Sequence, residues 1–415
     1  MKEERKLLII GWFKFPFGSA AASRVRTIAK GLTEKEVRVH IITTARIPFR
    51  KEDQNELNQM YWEGISYECQ NQYEPENNQK LSKFQRIWNY ILATIRGWNR
   101  VLRLVKNNEF DSILIYGRSA ISYFPIVIIG HLYQASLFYD VVEWFPPTRF
   151  KLGRLNPFFY DDLLSRYLPL LGCQGVIAIS TFIFNKYKKK GIPCFIIPSI
   201  FDSSIISNVE ASETKLPMNK FTVIYAGTCK AGDGFDRLLS AVRIVYLKGC
   251  PIHLRILGTD GLSGNAADKR TICEKDDILS SCVSFMGRVS DQDYFKLLAS
   301  ANCLVLPRPK CQITEASFPT RLPEFLYTDR PVLTTDVPDI PLYLEPGIHA
   351  EIVSGDTSEA LAHGLLRLWQ DSERALKIGL AGKQRCYEVF CYRQHKERLY
   401  QFLIKKQCDS AESIS

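Results

Sequence analysis

No run of apolar residues in this 415-residue chain is long enough to cross a membrane as a helix. The longest, Ile121–Ile129, falls well short of the roughly 18–20 residues required, which argues against an integral membrane protein. Histidine is scarce. The six (His40, His131, His253, His349, His363 and His395) show no His-x-x-x-His or other clustered spacing, so metal catalysis gains no support and no metal site is expected. The twelve cysteines form no C-x-x-C pair. The opening Met1-Lys2-Glu3-Glu4-Arg5 is too charged to lead a signal peptide, and Lys6–Gly11 reads as a first strand. Reduced thiols and a cytoplasmic setting are therefore expected rather than disulfides. G-x-G-x-x-G, G-x-x-x-x-G-K-[ST] and G-x-S-x-G are all missing, which removes the dinucleotide fingerprint, the P-loop and the nucleophile elbow. The lone Asp-x-Asp, Asp291-Gln292-Asp293, precedes a helix and reads as an N-cap by Asp291 rather than a metal site.

What is present is ordinary in bulk and uneven in detail. Hydrophobic residues make up 46% and charged residues 24%, as in a soluble globular protein, and the length exceeds one ordinary core. Residues 1–200 carry 28 Lys and Arg against 17 Asp and Glu, so the net charge of +10 resides in the first half. That half suits an anionic membrane, a phosphorylated acceptor or nucleic acid. Interleaved aromatic–basic binding motifs are lacking, so nucleic acid is not expected.

Strand-like segments alternate with helical patterns in two series. The first is Leu7–Ile10, Val37–Ile42, Ser112–Tyr116, Leu137–Val142, Gly175–Ile179 and Cys194–Ile197. The second is Phe221–Tyr225, Ile252–Leu257, Val283–Met286, Cys303–Leu306 and Val332–Thr334. Such alternation predicts an α/β protein with two doubly wound parallel-sheet domains, spanning 1–205 and 215–390. The polar stretch Asp202–Lys220 reads as the linker between them.

Four segments sit where ligands bind an open α/β sheet, beyond strand carboxyl ends. Phe318-Pro319-Thr320-Arg321-Leu322-Pro323-Glu324-Phe325-Leu326 follows the strand at Cys303. It predicts a helix starting near Thr320, its free amides aimed at an anion and Glu324 one turn inside, suited to neutral hydroxyls. A capped helix with a surface Glu explains the same letters. Tyr225-Ala226-Gly227-Thr228-Cys229-Lys230 begins a glycine-containing turn that can cradle phosphate, with Lys230 its cation, or serve as a plain surface loop. Gly18 with the small residues after it lets a ligand approach backbone closely, or makes a tight turn. Asp140 reads as a buried structural acid and Glu143 as a ligand for an acceptor hydroxyl.

Residues 83–106 form a basic amphipathic helix pattern, with Lys83, Arg86, Arg96, Arg100 and Arg103 opposed by Ile87, Trp88, Ile91, Ile95, Trp98 and Leu102. It reads either as a surface for anionic lipid or, the preferred reading, as a helix packing its apolar side on the sheet with its basic face solvated. Lys186–Lys190 reads as the solvated end of a helix stopped by Gly191.

Taken in order, these segments resemble glycosyltransferase family 4 (glycosyl transferases group 1), from about Leu8 to Phe402 and best over 221–345. Tyr225-Ala226-Gly227, Leu257-Gly258, Phe285-Met286-Gly287-Arg288, Leu306-Pro307-Arg308 and Phe318–Leu326 carry the likeness, the last resembling F-P-S-K-L-x-E-Y-L. Phe15–Ala21 and Pro198–Asp202 look similar to N-terminal landmarks. The resemblance implies the GT-B fold: two Rossmann-like domains facing a cleft, an N-terminal acceptor-binding one and a C-terminal nucleotide-sugar-binding one, with helix 391–408 packing back on the first. It implies metal-independent, retaining transfer from a UDP- or GDP-sugar to a glycan or lipid-linked acceptor, in bacterial surface polysaccharide synthesis at the inner face of the membrane. By analogy Glu324 holds the ribose, and Ser317, Phe318, Pro319 and Thr320 line the sugar and diphosphate pocket. Arg288 lies along the base, Gly18 near the diphosphate, and Gly227 and Thr228 in the donor turn. Arg321, Lys230 and Glu143 are the expected catalytic groups. The sequence departs from the pattern at Ala316 (with Glu315 one position off), at Thr228, at Asp233 and at Val142. These departures motivate an alternative, an inactive sugar-nucleotide sensor or partner subunit of the same fold.

Overall fold

The computed structural model describes residues 5–48, 60–73, 81–205, 220–229, 233–259 and 265–406. Most of the expected linker, and Lys230, lie outside them. The described residues divide into two compact units. One holds those up to Phe201 and from Tyr392 onward, together with Ala316–Phe318; the other holds Asp202 to Glu315 and Pro319 to Cys391.

The first unit is built on an eight-stranded sheet: β1 (Arg5–Gly11), β2 (Val37–Pro48), β3 (Met60–Trp62), β4 (Ile65–Tyr73), β5 (Ser112–Tyr116), β6 (Ser136–Val141), β7 (Gly175–Ala178) and β8 (Cys194–Ile196). Their order is β3-β4-β2-β1-β5-β6-β7-β8, parallel except for the β3–β4 hairpin. Leu7–Ile10 are fully buried, as a strand covered on both faces must be. The six strands read from the sequence lie where expected, within the shift of a residue or two usual at element ends, β2 alone running on to Pro48. The β3–β4 hairpin was missed. Its turn is Glu63-Gly64, both at positive φ, a less obvious signal than Asn-Gly.

Inside this unit a buried ion pair ties the sheet to the first helix, Ala20–Thr33. Arg24 Nε and an η-nitrogen donate to the two carboxylate oxygens of Asp140, each at 2.8 Å. The other η-nitrogen donates to the carbonyls of Ile197 and Pro198 at 3.1 and 2.8 Å. The helix Tyr392–Leu403 lies on the same unit. Phe402 packs between Phe138, tilted to it, and Phe195, edge to face, and Gly175 leaves room for its ring, since a Cβ there would stand 2.2 Å from Cζ.

The helix Lys83–Lys106 corrects the preferred reading of that segment. Its buried face is made of Ala93, Thr94, Gly97, Val101, Leu104 and Val105, with Gly97 against Thr44 and Ile10, and of the expected apolar side Trp98 and Leu102 are half-buried. Phe84, Ile87, Trp88, Ile91 and Ile95 are exposed. The basic face is not simply solvated either, because Arg100 binds Glu68 of β4 through two nitrogens, at 2.6–3.0 Å.

The second unit carries β9 (Phe221–Ala226), β10 (Ile252–Leu257), β11 (Val283–Gly287), β12 (Cys303–Leu306), β13 (Val332–Thr335) and β14 (Glu351–Val353). They form an all-parallel sheet in the order β11-β10-β9-β12-β13-β14. β14 was not foreseen. It is three residues long and begins on buried Glu351, which is held by Arg367 and Arg374. No helix among the described residues is long and apolar enough to cross a membrane.

Glu68 gives the first unit a measurable pH signature. Burial opposes its charge, but hydrogen bonds from His40 and Arg100, and their charges, outweigh that and hold its pKa at about 2 instead of 4.5. A depressed acid contributes stability above its ordinary pKa and loses it as pH falls through the folded value. Glu68→Gln should therefore be less stable than wild type near neutrality, with the gap closing from pH 4.5 toward 2. Urea unfolding at four pH values measures this; a gap of constant size would exclude the charge as its source.

Candidate active site

In the second sheet the first strand, β9, lies in the middle, with β10 on one side and β12 on the other. The chain lays down β10 and β11, then returns across β9. The loops after β9 and β12 leave in opposite directions and open a crevice at their carboxyl ends. The sequence-predicted turn sits here: Gly227 half-buried, Thr228 exposed, Cys229 fully buried at φ 54°. The turn leads to Gly234, which starts the helix Phe235–Leu247 at φ 74°. A Cβ on Gly234 would stand 1.6 Å from the Pro307 carbonyl oxygen, so only glycine brings this thirteen-residue helix start so close to the loop after β12.

Positive charge gathers at the same place. Arg308 follows Pro307, and burial lowers its guanidinium pKa to about 10 although Asp233 nearby favours the charge. Arg321 acts electrostatically on the Tyr225 phenol, whose pKa is raised mainly by burial and also by Asp233. That phenol lies under Gly227, 2.3 Å from where a Cβ would be. The turn after β9 and the cations after β12 thus lie near one another at this end of the sheet.

The expected helix near Thr320 is present as Arg321–Leu326, but it has only six residues. Thr320 makes no side-chain cap, and Pro323 occupies the first turn, where its missing N–H costs nothing. A macrodipole this short is weak, so Phe235–Leu247 supplies the stronger positive end at the switch point. Phe318 and Pro319 are buried, Ser317 is half-buried and Thr320 exposed. Ala316 is fully buried. Glu324 is held by Tyr294, whose hydroxyl donates to Oε2 at 3.0 Å. Tyr294 belongs to the helix Asp291–Ala299 after β11, which is capped by Ser290 and not, as the sequence suggested, by Asp291. Arg288 stands exposed between that strand and that helix.

The first sheet repeats the plan, with β1 between β2 and β5. Tyr123 bridges the two diverging loops: its hydroxyl accepts from Trp12 N–H and donates to the Tyr116 carbonyl, each at 3.1 Å. Gly18, at φ 105°, precedes Ser19, which caps Ala20–Thr33. Glu143, just past β6, is paired with Arg118 at 2.9 Å. Arg118 also binds Asp162 and lies 3.8 Å over the Phe145 ring. Asp140 is committed to Arg24 and is structural.

Sequence reasoning missed Arg118, Tyr294 and Arg308 as site-forming residues. Gly117-Arg118 after β5 carried the signal already read at Gly227 and Lys230, a glycine and a cation where a strand meets a helix. Nothing local marks Tyr294, whose partner is thirty residues away.

Residues 220–371 match the family model of glycosyl transferases group 1. The second unit is a group 1 glycosyl transferase domain. No curated protein matches the chain in sequence. Among solved structures it is similar to the sucrose-phosphate synthase of Thermosynechococcus elongatus, with TM-score 0.70 and 16% identity over 96% of this chain and 98% of that one. It is similar to Anabaena HepE in complex with UDP and glucose, with TM-score 0.67 and 17% identity over 96% and 99%. It is also similar to WaaG, a glycosyltransferase involved in lipopolysaccharide biosynthesis, with TM-score 0.63 and 15% identity over 96% and 99%. At such identities the likeness shows the fold, which is GT-B. With the family match, the chain is a GT-B sugar transferase.

Gly234→Ala should destabilise this glycosyl transferase by about 2–4 kcal/mol, combining left-handed strain and a backbone clash. Denaturant unfolding reads it directly; wild-type stability would mean the two loops are not held together at this point.

Proposed function

We propose that this protein is a metal-independent, retaining glycosyltransferase. It takes its donor as a nucleotide sugar in the second unit and its acceptor, a glycan or lipid-linked sugar, on the first. The observation that carries the reading is the joint presence, at the β9/β12 switch point, of a turn with close backbone access, the start of Phe235–Leu247, and the cations Arg308 and Arg321. Each of the three suits a diphosphate. Glu324, steadied by Tyr294, offers a carboxylate to ribose hydroxyls. Arg288 is proposed to lie along the base, and Ser317, Phe318, Pro319 and Thr320 to line the sugar and diphosphate. HepE has been solved with UDP and with UDP-glucose, which supports a uridine or related nucleotide donor here.

In this reading the bond from the anomeric carbon to the β-phosphate oxygen breaks. The acceptor oxygen bonds that carbon on the same face, and its proton passes to the departing phosphate. Arg321, Arg308 and Lys230 offset the charge that grows on the diphosphate. Lys230 lies outside the described residues, so its part rests on its place in the turn. Glu143, through its pair with Arg118, positions an acceptor hydroxyl and is not a free base. The setting proposed is cytoplasmic, at the inner face of a bacterial membrane, in surface polysaccharide synthesis.

The buried Ala316, where the family often has Glu, keeps a second reading in view: a nucleotide-sugar sensor or partner subunit without turnover. A panel of UDP-, GDP- and ADP-sugars with extracted lipid acceptors separates the two. Product formation supports the transferase, and tight binding without product supports the sensor.

Glu324→Ala should weaken nucleotide-sugar affinity about 10–100-fold, and Tyr294→Phe about 5-fold, with folds intact, as expected for losing a charged and a neutral hydrogen bond. Calorimetric titration measures both, and wild-type affinity in Glu324→Ala would remove that carboxylate from the site. Arg321→Ala should lower kcat by about 10–100-fold, and turnover should persist in EDTA. Loss in chelator with rescue by a divalent cation would contradict metal independence.

A further inference from the structure

We propose that one face of the first unit, formed by the start of Lys83–Lys106, by Ala120–Leu132 and by residues 152–171, docks flat on a bilayer rich in anionic lipid. This deepens the membrane setting proposed above and rests on it for its biological context. Its physical basis is independent of turnover.

Ala120–Leu132 contains no charged Asp, Glu, Lys or Arg. A helix apolar all round is normally buried on every side. This one buries Tyr123, Ile126, Val127 and Ile129 but leaves Ile121, Phe124, Ile128 and Leu132 exposed, the outermost two at 72%. The spacing of three and four residues makes these one stripe. Phe84, Ile87, Trp88, Ile91 and Ile95 form a second stripe of the same kind. Leu152, Leu155, Phe158 and Leu164 continue the apolar surface on the other side.

The three segments are fastened side by side. Tyr90 and Ser122 share a hydrogen bond of 2.6 Å, and Trp98 Nε1 donates to the Ser122 carbonyl at 2.7 Å. The Ile121 amide donates to Asp161 at 2.8 Å, and a His131 ring nitrogen meets the Leu171 carbonyl at 2.5 Å. The stripes therefore lie on neighbouring segments of one unit, and contiguous exposed apolar surface of this kind marks an interaction site. By contrast, the exposed large apolar residues of the second unit, such as Leu247, Ile272 and Leu380, sit on separate helices.

Charge selects the occupant. No acidic residue occurs from Leu81 to Asn108 or from Ser112 to Tyr139. Asp140 is spent on Arg24, Glu143 on Arg118, Asp161 on capping Ile121, and Asp162 on Arg118 and Arg166. Exposed Lys83, Arg86, Arg149, Lys151 and Arg154 are left around the apolar stripes. An apolar face ringed by cations, with Trp88 and Tyr160 exposed on it, suits an anionic headgroup layer over acyl chains. A second copy would bring the same cations against themselves.

The full-length protein should co-sediment with vesicles of phosphatidylcholine and 30% phosphatidylglycerol, with binding falling steeply as salt rises, and should bind pure phosphatidylcholine at least 10-fold more weakly. The triple variant Ile121→Ser, Phe124→Ser, Ile128→Ser should lose at least 10-fold in partitioning, and so should Lys83→Glu with Lys151→Glu and Arg154→Glu. Leu247→Ser with Ile272→Ser, on the second unit, should partition as wild type. Wild-type protein left in the supernatant with both vesicle types would overturn the proposal, as would either face variant sedimenting like wild type. A dimer that the triple variant converts to monomer, with no vesicle binding by either, would assign the face to a second copy and overturn it too. Vesicle binding without sugar transfer would count against the proposed function alone, and transfer without vesicle binding against this face alone.

Discussion

Both sheets begin in their own middle. β1 is flanked by β2 and β5, and β9 by β10 and β12, so each chain segment must build outward on one side and then cross back over its first strand. Right-handed crossovers put the covering helices on both faces and leave the carboxyl ends of the two central strands to part company. The residues that hold those ends are few and specific: Tyr123 hydrogen-bonded across the β1/β5 split, and Gly234 pressed against Pro307 across the β9/β12 split. The candidate site of the glycosyl transferase domain exists because this topology opens a backbone-lined crevice and the glycine lets a long helix begin inside it.

Electrostatics is arranged around these splits by pairing acids away. Asp140, Glu143, Asp162 and Glu351 are each held by arginine, all but Glu143 buried. Carboxylates taken up in this way stabilise their unit and leave the local balance of charge positive. In the second unit the cations are Arg308 and Arg321 at the split, and in the first the lysines and arginines around the apolar helices. The same pairing of acids underlies both anion-binding proposals, toward a diphosphate and toward a lipid surface.

The departures from family expectation gain a physical reading in the structure. Ala316 is sealed from solvent, so a Glu could not be restored there without cost, and Glu315 on the preceding turn is only half-buried. The short helix Arg321–Leu326 contributes Glu324 and Arg321 more through their side chains than through its dipole, which the longer helix after Gly234 supplies.

Much of the architecture was legible from periodicity. Strands buried on both faces, such as β1, β9 and β12, are short apolar runs that stand out without any tertiary information, and the glycines and prolines beyond them mark where loops begin. β4 was not legible, because Ser66, Glu68 and Gln70 alternate along it and its polar positions are satisfied by His40 and Arg100 from elsewhere in the chain. The same limit applies to the site. Sequence singled out Gly227, Arg321 and Glu324 as candidates by their position after strands, whereas Tyr294, Arg118 and Arg308 become candidates only when loops distant in sequence meet within their own unit. It also misjudged the face of Lys83–Lys106. Composition determines that a helix is amphipathic, but which side meets the core depends on the space available, and here Gly97 sits against Thr44 and Ile10, Trp98 and Leu102 stay half-buried, and the large apolar side chains from Phe84 to Ile95 face outward.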